Sequence, residues 1–146
     1  MKVARVLTLL GLGLFSACSN NAPARDAAPV AVSLRNDGTA PMECRLMFGH
    51  WVDRDLGRLP PGGQVSFSVE QQPSDGGLFV MRPDGKMRMM IETILCGQYP
   101  DWPGSVGQVD LGPARRKLVS AINASCRMPP EGGRIACPPV TLTAAP

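Results

Sequence analysis

Three observations predict a mostly β chain folded as one small β-sandwich. Apolar and polar residues alternate with period two, most clearly over Gln64 to Glu70, where Val65, Phe67 and Val69 share one side. Turn chemistry recurs at roughly ten-residue spacing, as in sandwiches of short strands. The 16 Gly and 15 Pro that supply it are spread between apolar runs rather than clustered as low complexity. Finally, Cys44, Cys96, Cys126 and Cys137 form an even set of the kind that staples exported domains.

The chain opens on a targeting segment, residues 1–17. Lys2 and Arg5 form a positive n-region, and Val6 to Phe15 is apolar apart from Thr8, Gly11 and Gly13. At about ten residues this run falls short of the roughly twenty that span a bilayer and fits a signal-peptide core. Small Ser16 and Ala17 follow, then Cys18. This N-terminus resembles the lipobox of bacterial lipoproteins, an aliphatic residue, two small residues and Cys, with Phe15 where Leu is usual. The resemblance covers residues 1–18 alone. It implies that Cys18 carries a diacylglyceryl thioether, becomes the first mature residue and takes a further palmitate-type acyl chain on its amino group. At about 0.8 kcal/mol per buried methylene, two or three chains hold a protein firmly to a membrane. Ser19, with no Asp there, implies sorting to the outer membrane, the domain facing the periplasm. The alternative is ordinary signal-peptidase cleavage, with Cys18 a bystander.

Residues 19–29 are polar and Pro/Ala-rich, a flexible tether behind the lipidated Cys18. The sandwich is expected over 30–142. Val30, Val32 and Leu34 open it as a strand, and Asn36 to Pro41 turns. Met42 to Phe48 returns with Cys44, Leu46 and Phe48 on one side. Asp53 to Gly63 reads as a loop, and Gln71 to Gly76 as a turn. Gly77–Arg82 and Lys86–Leu95 form a hairpin across Pro83-Asp84-Gly85, with Met87, Met89, Ile91 and Thr93 on one face. Gly97 to Gly107 reads as loop and Gln108 to Leu111 as a short strand. Residues 113–125 fit a helix opened by Pro113 or a strand from Leu118. The strand is favoured, because Cys126 and Cys137 then staple a hairpin across Pro129 to Gly133. Residues 143–146 are a loose end. The succession of short strands and turns is similar in pattern to immunoglobulin-like sandwiches, which by itself assigns no function.

The four cysteines allow three pairings. Cys126–Cys137, closing a short loop, and Cys44–Cys96, joining distant strands, are favoured. A thiolate metal site is disfavoured, because no CxxC pair occurs. Lys2 and Arg5 belong to the signal, so thirteen basic residues face twelve acidic ones in the rest. A near-neutral chain argues against nucleic acid as a partner, and Arg115-Arg116-Lys117 reads as a solvated edge or turn.

His50 is the single histidine, and no Gly-x-Ser-x-Gly motif accompanies it. Asp53 and Asp55 lie close together but in a polar stretch. The chain is therefore expected to be a non-enzymatic binding or accessory module without a cofactor, held to the membrane by its anchor and serving an envelope protein partner. Tyr99 and Trp102, in a Pro/Gly-rich loop, are the candidate partner contacts, and Trp51 is expected in the core. The alternative is a periplasmic copper-binding protein. Thioethers and imidazole suit Cu(I), and Met87, Met89 and Met90 cluster in sequence, with His50 on another segment. Against this, methionine also fills irregular cores.

Overall fold

The computed structural model describes residues 27–146. The signal segment, Cys18 and the tether as far as Asp26 lie outside the described residues, as does the Trp51 side chain. Strand makes up 53% and helix 8%, so the chain is mostly β as expected.

Nine strands form one sheet: β1 (Ala28–Asn36), β2 (Met42–Phe48), β3 (Asp53–Leu59), β4 (Gln64–Gln71), β5 (Leu78–Met81), β6 (Arg88–Gln98), β7 (Gly107–Val109), β8 (Val119–Cys126) and β9 (Thr141–Ala144). Their order is β3-β2-β6-β5-β4-β1-β8-β9, with β7 also on β6. Pairing is antiparallel except for β1 on β8, which is parallel. The path bends over so that both halves bury side chains in one core. Val30, Val32 and Leu34 of β1 and Ile122 of β8 meet Met42, Leu46 and Ile94 from the other half.

The bend is made by β6, the longest strand. Its first residues, Arg88–Met90, pair with β5, and the stretch from Ile91 onward pairs with β2. Phe48 faces Ile91 but Met47 faces Thr93, so Glu92 is an extra residue, a β-bulge. Bulges let one strand pass between two packed layers. This one also switches the inward parity: Ile91 is buried before it, Ile94 and Cys96 after it. The simple alternation Met87, Met89, Ile91, Thr93 therefore ends at Ile91.

The carbonyls at the bulge are satisfied by Arg115, whose Nη2 donates to Ile91 O and Glu92 O, both at 2.7 Å. The expectation of a purely solvated basic turn fails for this residue. Arg115 follows from α2 (Gly112–Arg115), a single turn opened by Pro113. Residues 113–125 thus contain both alternatives, a helical turn and then β8. The strand starts at Val119, buried at 1%, not at Leu118, exposed at 44%.

Two buried amides lock this frame. Gln71, expected in a turn, ends β4 with its side chain fully buried. Its Nε2 donates to Ala114 O at 2.8 Å and Lys117 O at 3.0 Å, and its Oε1 accepts from Val119 N at 2.9 Å. At the other end of β1, Asn36 Nδ2 donates to Ala40 O and Leu59 O.

The sequence reading is corrected at several edges. Asp53–Leu59 is strand β3, not loop. Asp53, Arg54, Asp55 and Arg58 disguise it, because it lies at the edge of the sheet, where charge protects a strand from unwanted pairing. Ala28 and Pro29, expected in the tether, pair with Gln71 and Glu70. Pro29 is tolerated because β8 joins β1 only from Ala31 onward, so its missing N–H breaks no ladder there. Lys86 and Met87 precede β6 rather than belonging to it, and Gly97 and Gln98 extend it. The loop after it contains the turn α1 (Trp102–Ser105). Thr143 and Ala144, expected loose, pair in β9.

Both favoured disulfides are present. Cys44 and Cys96 are directly opposed on β2 and β6, with Cα atoms 4.1 Å apart. Cys126 and Cys137 close the expected hairpin, beside reciprocal bonds between Arg127 and Ala136.

Candidate functional site

Beyond Phe48 the chain leaves the sheet through a 3-10 turn, Gly49–Trp51, closed by Phe48 N donating to Val52 O at 2.8 Å. Because β2 joins β6 only from Ile91, the β2 side of Arg88–Met90 has no neighbouring strand. Between this free edge and the turn lies an open cavity of about 580 Å³. Phe48, Gly49, His50 and Val52 form one wall, and Arg82, Met87, Arg88, Met89 and Met90 the other. All four residues of the copper alternative therefore come together, although His50 and Met87 are far apart in sequence. Met47 does not line the cavity.

The lining is mostly apolar and open to solvent. Met87 is 56% exposed, Met90 52% and Val52 50%, while Met89 is half-buried and packs on the core. Successive residues of a strand point to opposite faces, yet Met89 and Met90 reach one cavity because it wraps the strand's free edge. Two arginines stand at the rim, each with an acidic neighbour. Arg82 lies 3.8 Å from Asp84, and Arg88 lies 3.2 Å from Glu70. His50 holds a left-handed backbone, φ 65°, the one such non-glycine residue among those described. An L-residue there is uncommon, and histidine is among the residues that adopt it most readily.

Tyr99 and Trp102 are placed differently. The Trp102 indole lies against Gly97, where a Cβ would collide with it, and its Nε1–H donates to Glu43 O at 3.1 Å. The Arg45 guanidinium stacks on its ring at 4.7 Å, and Arg58 stacks on Tyr99 at 3.3 Å. Arg58 also bonds the Glu43 carboxylate. Its guanidinium is held above its ordinary pKa: desolvation works against the charge, and bonds to Glu43 and Tyr99 outweigh it. These aromatics are thus engaged with their own sheet, and Trp102 serves as a clamp on β2 and β6.

The remaining candidates do not assemble. Asp53 pairs with Arg45 at 3.4 Å, and Asp55 accepts from Gly57 N at 2.7 Å within β3, where its register against Cys44 and Arg45 shifts by one residue. Among the described residues no three of His, Cys, Asp and Glu come together as a metal cluster. Sequence reasoning missed Phe48, Val52, Arg82 and Arg88 as cavity walls, since no periodicity announces which strand edge is left unpaired.

No protein-family model matches the chain, and no curated protein does. Among solved structures, an NMR structure of a protein from Eubacterium rectale aligns with a TM-score of 0.43 and 7% identity, over 76% of this chain and 89% of that one. So remote a likeness carries no conclusion about function.

Proposed function

We propose that this is a lipid-anchored, non-enzymatic binding module of the bacterial envelope, tethered through Cys18 and binding its ligand in the methionine-lined cavity. The observation that carries the binding role is the cavity itself. A volume of about 580 Å³ is within the range of small-ligand sites, and its lining is mostly apolar, with His50, Arg82 and Arg88 as its polar members. Exposing Met87, Met90 and Val52 together is unfavourable for a surface with no partner. The envelope location is supported by the n-region, the apolar run and Cys18 in sequence, and by the pairing of all four other cysteines, which suits an oxidising compartment. Sorting to the outer membrane follows from Ser19 under the same reading. An envelope protein is the partner such an accessory module would serve.

Two experiments test the two halves. Cys18→Ala should release the protein from the membrane fraction; retention of that variant in membranes refutes the anchor. The amphiphilic anion anilinonaphthalene sulfonate should bind the full-length oxidised protein at one site, and Met87→Glu with Met90→Glu should abolish it at unchanged thermal midpoint. Equal dye binding by the glutamate variant refutes the cavity as the binding locus.

A further inference from the structure

We propose that the cavity is a Cu(I) site whose donors are the thioethers of Met87, Met89 and Met90 and the imidazole of His50. This rests on the binding reading above and names the ligand of that same cavity.

Donor chemistry carries the argument. The lining includes three neutral soft sulfurs, of Met87, Met89 and Met90, and one borderline nitrogen, of His50, and no carboxylate lines the cavity. Such a set selects Cu(I) over Mg²⁺, Ca²⁺ or Mn²⁺, which require oxygen ligands. Arg82 and Arg88 each stand beside a carboxylate, of Asp84 and Glu70 respectively, which leaves the selection to the soft donors rather than to net charge. Among the described residues no thiolate competes, because Cys44, Cys96, Cys126 and Cys137 are all in disulfides; under the lipid-anchor reading Cys18 is a thioether and not a thiolate.

Placement supports the same ion. Met89 is anchored against the core, while Met87 and Met90 are exposed on unbranched stems with three rotatable bonds. They can swing onto an ion that Met89 positions. His50 stands on the facing wall, held there by a left-handed backbone that a glycine would adopt more readily. A neutral thioether set holds Cu(I) without the thiolate charge that would trap it.

The test titrates full-length oxidised protein in detergent with Cu(I), kept reduced by ascorbate, against a chromophoric Cu(I) chelator. One equivalent should be withdrawn from the chelator. Since losing even an outer-shell partner of a metal costs 10–100-fold, Met87→Leu, Met89→Leu and Met90→Leu combined should weaken binding by about 100-fold or more, and His50→Ala by about 10-fold. Leucine keeps the cavity apolar, so the triple variant should still bind anilinonaphthalene sulfonate. The Cu K-edge spectrum should show sulfur scatterers with a histidine nitrogen. Native-like Cu(I) affinity in the triple variant overturns the proposal, as does an oxygen and nitrogen shell. Failure of the native protein to compete while it still binds the dye overturns the copper site and leaves the binding reading standing. Loss of both from the native protein overturns both.

Discussion

Gln71→Leu should destabilise this fold more than any surface change. The native amide is fully buried and makes three hydrogen bonds, two donated to Ala114 O and Lys117 O and one accepted from Val119 N. Leucine has similar size and none of these groups. Ala114 is fully buried and Val119 nearly so, so their backbone O and N–H are left without partners. Each orphaned buried group costs about 1–3 kcal/mol, with the part-buried Lys117 O at the lower end. Added apolar burial returns about 1 kcal/mol. The net loss is about 3–5 kcal/mol, a large share of a stability of about 5–15 kcal/mol. Urea unfolding of the oxidised full-length protein measures it. At a slope of about 1–3 kcal/mol/M the midpoint should fall by about 1–5 M with the slope unchanged. Gln72→Leu is the control. Its side chain makes an exposed bond with Arg88, and surface changes of that kind stay within about 0.5 kcal/mol. A loss below about 1 kcal/mol for Gln71→Leu would refute the argument that this amide holds α2 and β8 onto β4.

The disulfides should differ in weight. Replacing both cysteines of the Cys44–Cys96 pair by Ser, with a sequence separation of 52, should cost about 4 kcal/mol, against about 3 kcal/mol for Cys126–Cys137, with a separation of 11, in the same unfolding assay. Trp102→Ala should cost about 2–3 kcal/mol through lost packing and the lost bond to Glu43, and should leave Cu(I) and dye binding unchanged. His50→Gly should raise stability by about 0.5–1 kcal/mol, because glycine relieves the left-handed strain, while weakening Cu(I) binding. A stabilised variant with native Cu(I) affinity would remove His50 from the ligand set. Arg115→Leu should cost about 2–4 kcal/mol by stripping the bonds from the Ile91 and Glu92 carbonyls, read again by urea midpoint.

Strands with one buried face were legible in the sequence. Val30, Val32 and Leu34, and likewise Cys44, Leu46 and Phe48, alternate as expected and sit in the core. Both disulfide pairings were legible too, one from loop length and one from strand distance. β3 was not, because an edge strand facing solvent carries the charges of a loop. Gln71 and Asn36 were not, because a polar residue at a strand end looks like the start of a turn. Its burial depends on backbone groups brought in from elsewhere, more than forty residues away in the case of Gln71. Tyr99 and Trp102 read as candidate partner contacts from a Pro/Gly-rich loop, and loop composition does not reveal the bond from Trp102 to Glu43 O or the Arg58 stack on Tyr99.

The site residues were legible as chemistry and illegible as geometry. Thioether and imidazole types could be grouped by softness, but strand parity alone sends Met89 and Met90 to opposite faces. They share a cavity because the extra residue Glu92 takes β6 from one layer to the other, leaving Arg88–Met90 unpaired on the β2 side. The bend needs Arg115 to satisfy its carbonyls, and α2, which carries Arg115, needs Gln71 to hold it to β4. A chain of contacts thus runs from the buried amide to the cavity. Its consequence is reciprocal: loosening Gln71 or Arg115 should degrade ligand binding in the folded protein, and a ligand bound in the cavity should raise the stability of the fold in the same urea assay.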